Sequence, residues 1–142
     1  MVRRLTFAAR QSVLRNLRAE VRKIALALGA DERVGDNLAL VVDELVNNAI
    51  EHGADYRRAG LDLALQFQVV GTRLQIEFFD PEMPVDAVQD LARLVGQATD
   101  GMPSLDSERG RGLFLLSVYL QDLQAGSAPA GGLRLGGYID RK

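Results

Sequence analysis

The sequence predicts a two-layer α/β sandwich of the α+β type, with a mixed, mostly antiparallel sheet covered on one face by helices. Three observations carry that expectation. Leu61, Leu63, Leu65, Phe67 and Val69 alternate strictly with other residues, as do Leu74, Ile76 and Phe78, and Gly71-Thr72 joins the runs as a two-residue hairpin signal. Two earlier segments repeat apolar residues every three and four positions, the helical spacing. Strands with a single apolar face need a cover on that side, and such helices supply it.

The elements follow in order. Leu5 to Ala8 reads as a short first strand. From Ser12 to Leu28 the positions Leu14, Leu17, Val21, Ile24 and Leu28 define a helix, whose outer face carries Arg15, Arg18, Arg22 and Lys23. That basic run reads either as a solvated face or as a partner-binding patch. Gly29-Ala30-Asp31 ends this helix and opens the next, with Asp31 as its cap. The second helix runs to about Gly53, with Leu38, Val41, Val42, Leu45 and Ala49 facing the core. After the hairpin, Asp80 closes a strand before Pro81-Glu82-Met83-Pro84, which cannot continue a central strand. Asp86 with Gln89 resembles a capping pair for a short helix through Leu91 and Leu94. Residues 97–109 are polar and contain Gly101 and Pro103, so about 84–109 is expected to form a lid-like segment. Gly110-Arg111-Gly112 opens a helix from Leu113 to Leu120. Leu133, Leu135, Tyr138 and Ile139 add one or two strands after a turn at Gly126 to Gly132.

Composition bounds the function. A chain of 142 residues forms one domain, residues 1–142, with 47% hydrophobic and 25% charged residues. With 17 Lys plus Arg against 19 Asp plus Glu the formal net charge is -2, which offers no electrostatic footprint for nucleic acid or an anionic membrane. The absence of Cys excludes disulfides and thiolate chemistry, and the single His52 excludes a multi-histidine metal site. The N-terminus has no signal-peptide core and no apolar run spans a bilayer, so a cytoplasmic protein is expected.

Chemistry concentrates on the second helix. Asp43, Glu44, Asn47, Asn48 and Glu51 form a polar strip opposite the core stripe, with Glu44 and Asn48 at i and i+4. Asn is an indifferent helix former, so two adjacent Asn are an odd choice for plain solvation. A carboxylate beside amide oxygens suits a hard cation and an activated hydroxyl; an ordinary exposed face is the plainer alternative. Gly110 and Gly112 at a helix start either let backbone N–H groups approach phosphate or form a flexible joint.

Taken in order, Glu44 and Asn48 on a helix, Asp80 before a Pro-containing turn, and Gly-x-Gly opening a later helix resemble the three boxes of the GHKL (Bergerat-fold) ATPase superfamily. Within it the chain is most similar to small anti-sigma-factor serine/threonine kinases. The phrases Val42-Asp43-Glu44-Leu45-Val46-Asn47-Asn48-Ala49-Ile50-Glu51-His52-Gly53 and Gly110-Arg111-Gly112-Leu113-Phe114-Leu115-Leu116 carry the match.

The resemblance implies ATP and Mg²⁺ as cofactors. It implies Glu44 as the general base toward a protein Ser or Thr hydroxyl, Asn48 as the Mg²⁺ ligand and Asn47 as a phosphate contact. Asp80 would accept from the adenine amine, Gly110 and Gly112 would offer backbone donors to the phosphates, and Arg109 or Arg111 would offset their charge. The implied partners are a sigma factor, held inactive, and its antagonist, which is phosphorylated; a homodimer is the family habit. Two positions depart from the pattern. Glu82 stands where relatives carry a Gly close to the purine, and Leu133 stands where they carry a Thr. Both lie on the adenine side, so the alternative is a catalytically silent clamp on a sigma factor or antagonist.

Overall fold

The computed structural model describes residues 2–99 and 108–142, without the side chains of Thr99, Glu108 and Arg109. The chain runs β1 (Val2–Phe7), a 3-10 turn (Gln11–Val13), α1 (Leu14–Ala27), α2 (Glu32–Gly53), β2 (Leu63–Val70), β3 (Arg73–Asp80), α3 (Val85–Thr99), α4 (Glu108–Tyr119), β4 (Gln121–Ser127) and β5 (Leu133–Asp140). The strands form one sheet in the order β1-β2-β3-β5-β4. Every pairing is antiparallel, the pure limit of the mostly antiparallel sheet expected.

Side-chain parity decides which face is buried. Leu63, Leu65 and Phe67 of β2, Leu74, Ile76 and Phe78 of β3, and Leu133, Leu135 and Ile139 of β5 all point to one side and are buried there. The helices cover that side with Leu17, Val21 and Ile24 from α1, Leu38, Val42 and Leu45 from α2, and Leu113 and Leu116 from α4. The other face is dressed with paired charges: Arg134 bridges Glu77, and Arg73 stacks over Tyr138 at 4.2 Å.

Helix ends match their local chemistry. Gly29, at φ +92, ends α1 in a left-handed turn. Ala30 N–H then reaches the Ala25 carbonyl at 2.9 Å and Gly29 N–H the Leu26 carbonyl at 3.1 Å, the paired bonds of a Schellman end. Asp31 caps α2 by accepting from the Val34 amide at 2.9 Å. Arg18 and Arg22, read from sequence as a solvated face or a partner patch, instead tie α1 to α2. Arg18 meets both oxygens of Asp43 at 3.0 and 3.1 Å, and Arg22 meets Asp36 at 3.0 Å.

Two elements depart from the sequence reading. α3 is not a short helix ending near Leu94: it continues to Thr99, and Val88, Leu91, Val95 and Ala98 pack into the core. The first part of the expected lid-like segment is thus a core helix, and residues 100–107 lie outside the described residues. β4 occupies Gln121–Ser127, ahead of the expected turn; only Leu123 of it is buried, and a bulge with Asp122 at φ 53 interrupts its pairing.

Candidate functional site

The polar strip of α2 is half-buried rather than exposed at Asp43, Glu44, Asn47 and Asn48, whereas Glu51 and His52 are exposed. Helical geometry stacks Glu44 and Asn48, and the Asn48 amide donates to Glu44 Oε1 at 3.2 Å. The N-terminal end of α4 lies against this pair; the helix starts at Glu108, so Gly110 and Gly112 lie within it rather than opening it as expected. A Cβ on Gly112 would collide with Glu44 Oε1 and lie 3.0 Å from its Cδ and 3.3 Å from the Asn48 amide nitrogen, so any side chain there must displace the end of Glu44. Gly110 and Gly112 are buried and Arg111 is exposed. The Arg109 side chain lies outside the described residues. Glu44 and Asn48 are therefore neighbours of Gly112, far from them in sequence, across the α2–α4 contact.

Asp80 follows from strand parity. Leu74, Ile76, Phe78 and Asp80 alternate inward along β3, so the last inward position holds a carboxylate, fully buried at 0% exposure. Gly132, at φ +80, packs against the backbone of Asp80 and Pro81, and Leu133 pairs directly with Asp80 in the sheet. Between Asp80 and α2 lies an apolar pocket lined by Leu45, Ala49, Phe78, Met83, Leu113 and Leu133, with Asn48 the polar lining residue among the described ones. Its volume is about 20 Å³. A cavity of roughly 150 Å³ is what a benzene ring occupies in a protein core, so a purine does not fit this form.

The residues that engage Asp80 are ones the sequence reading missed. Tyr56 O–H donates to Oδ2 at 2.8 Å; Arg57 donates through Nη1 to Oδ1 at 3.1 Å and through Nη2 to Oδ2 at 2.8 Å. The Glu82 amide adds a fourth bond, to Oδ1 at 3.3 Å. The Arg57 side chain is only 12% exposed and also donates to the Ala49 carbonyl at 3.3 Å, near the C-terminus of α2. Burial lowers the Arg57 pKa, but the hydrogen bond and charge of Asp80, helped by Tyr56 and Glu82, outweigh it and hold the guanidinium above its ordinary value. Nothing in the spacing marked Tyr56 or Arg57. The usable signal was Glu82, a second carboxylate beside a buried one, which calls for a cation.

Glu82, which stands where relatives carry a Gly close to the purine, turns its carboxylate to the 57–61 segment, accepting from the amides of Ala59 at 2.7 Å and Leu61 at 3.0 Å, and it lies 3.7 Å from Arg57.

At the α2–α4 contact a carboxylate, an amide and a glycine converge, groups of the kind that offer oxygen ligands and close backbone approach. At the end of β3, Asp80 has its acceptor sites engaged by protein donors and the neighbouring pocket is small.

A family model for the histidine kinase-like ATPase domain matches residues 7–133. That span is most of the chain, and the chain belongs to this family, within the GHKL superfamily its motif order resembles. Among solved structures, a chain of the SiaB-SiaC complex from Pseudomonas aeruginosa superposes with a TM-score of 0.72 at 14% identity, over 95% of this chain and 88% of that one. At that identity the likeness concerns the fold. No curated protein matches significantly. Among the described residues, no helix is long and apolar enough to cross a membrane.

Proposed function

We propose that this domain is a cytoplasmic regulatory protein kinase and anti-sigma factor. It sequesters a sigma factor and phosphorylates an antagonist of that sequestration on Ser or Thr, with Mg-ATP as donor. The observation that carries the reading is the half-buried Glu44–Asn48 pair hydrogen-bonded at 3.2 Å against the glycine turn of α4. Bound Mg-ATP would supply the phosphoryl group and neutralise its charge. The chain's own part is to position and to move one proton. Glu44 takes the proton of the substrate hydroxyl as that oxygen bonds the γ-phosphorus and the bond from that phosphorus to the departing ADP breaks. Asn48 would ligate the metal, and Asn47, Gly110, Gly112, Arg109 and Arg111 would hold phosphate oxygens. That one matched structure is itself a complex between two proteins is in keeping with a domain that works on a protein partner. A homodimer, the family habit, belongs to the same reading.

Transfer of labelled phosphate to a cognate antagonist tests it. Glu44→Gln, which keeps shape and loses basicity, is expected to lower transfer at least about a hundredfold. Undiminished transfer removes Glu44 as the base.

The engaged Asp80 favours a second reading, a clamp that binds sigma factor or antagonist without phosphoryl transfer. On that reading Glu44→Ala and Asn48→Ala leave partner affinity nearly unchanged, and nucleotide has no effect on it.

A further inference from the structure

An ionised carboxylate offers about four acceptor sites, and Asp80 meets four donors: Tyr56 O–H, both Arg57 terminal nitrogens and the Glu82 amide. At 0% exposure it has no water-facing oxygen to spare. The amine of a purine is a donor of the same kind as a guanidinium N–H, so the two compete for the same lone pairs. Arg57 is also seated with care. Gly53 leaves its Nη2 room that a Cβ would invade at 2.5 Å, and the Ala49 carbonyl accepts from that same nitrogen.

We propose that Arg57 is a built-in competitor for the base sub-site, a latch that holds Asp80 and must release it before a purine amine can bind. The inference rests on the ATP-binding reading above. Glu82 completes the device. Its Oε2 lies 3.7 Å from Arg57 Nη1, already anchored by the Leu61 amide at 3.0 Å, so it is the second carboxylate to which the guanidinium passes on leaving Asp80. A Gly at position 82 could not receive it. The small pocket belongs to the same closed state, since the latch joins Asp80 at the end of β3 to Ala49 on α2, which forms a pocket wall. Apparent affinity is then the intrinsic affinity scaled by the fraction of molecules with the latch open.

Calorimetric titration with Mg-ATP of the wild type, Arg57→Leu, Arg57→Lys and Glu82→Gln tests the latch. Arg57→Lys keeps a positive charge for Asp80 but loses the fork that spans both its oxygens, so it decides the matter if Arg57→Leu does not fold. Arg57→Leu and Arg57→Lys are expected to bind Mg-ATP more tightly than the wild type, the former about tenfold or better, and Glu82→Gln more weakly, because the released guanidinium loses its acceptor. Opposite signs at Arg57 and Glu82 would not arise if both residues merely held the loop in place. Equal affinity across wild type, Arg57→Lys and folded Arg57→Leu overturns the latch and leaves ATP binding standing. No binding by any folded variant overturns both.

Discussion

Asp80 and Gly112 are single residues whose environments decide what the site can do. Asp80 is the inward residue that ends the Leu74, Ile76, Phe78 series, and a buried carboxylate there needs a counter-charge. Arg57 provides it. Because the folded pKa of Arg57 is raised, its contribution is fully present below the unfolded value and is lost only as pH rises through the folded one. The guanidinium therefore stays charged throughout the neutral range. Truncation to Arg57→Leu, which strands Asp80, is expected to cost about 3–5 kcal/mol in urea unfolding. Gly112 poses a different balance. Ala gains about 1 kcal/mol of helix propensity over Gly, while its Cβ must displace the end of the Glu44 side chain. A side-chain end can rotate away, so Gly112→Ala should change stability by no more than about 1 kcal/mol yet push Glu44 off Asn48. Loss of phosphate transfer with an unchanged unfolding midpoint would bear this out; full activity would show that the collision is avoided otherwise.

At the scale of elements, caps and clamps set the α1–α2 pair that presents the polar strip. Asp31 bonds the Val34 amide, and Asp31→Ala is expected to cost about 1 kcal/mol by chemical denaturation. One Arg18 nitrogen straddles both Asp43 oxygens, and the two side chains are 36% and 26% exposed, so a double-mutant cycle should return about 1 kcal/mol or less. What the sequence disclosed at this scale was whatever rests on period and punctuation: the Schellman end at Gly29, the Asp31 cap, the Gly71-Thr72 hairpin and the apolar stripe of α2. The continuation of α3 was written there too, since Val88, Leu91, Val95 and Ala98 keep helical spacing, but Gly96 and Gln97 masked it. β4 was not legible, because Leu123 is its single buried side chain and a bulge breaks the alternation.

Across the whole molecule, one antiparallel sheet and its helical cover bring α2, α4 and the end of β3 to a common corner. The core that fixes this corner is centred on Phe67 and Phe78, exposed at 0% and 2%. Phe67→Ala is expected to cost about 3–5 kcal/mol, read as a lower unfolding midpoint at constant denaturant slope. That Glu44 and Asn48 share one helix face was legible in the sequence, because helix faces are local properties, and the structure sets that face against Gly112. The partners of Asp80 were not legible, because Tyr56 and Arg57 reach it from more than twenty residues away, and no pattern announces a long-range ion pair.

On the proposed reading this corner is a metal-dependent nucleotide site. Calorimetric titration of the wild-type domain and Asn48→Ala with ATP, with and without Mg²⁺, tests it most directly. Saturable, Mg²⁺-dependent binding by the wild type that weakens about tenfold or more in Asn48→Ala is expected. Binding that is identical in the two proteins, or no binding by a folded wild type, would contradict it.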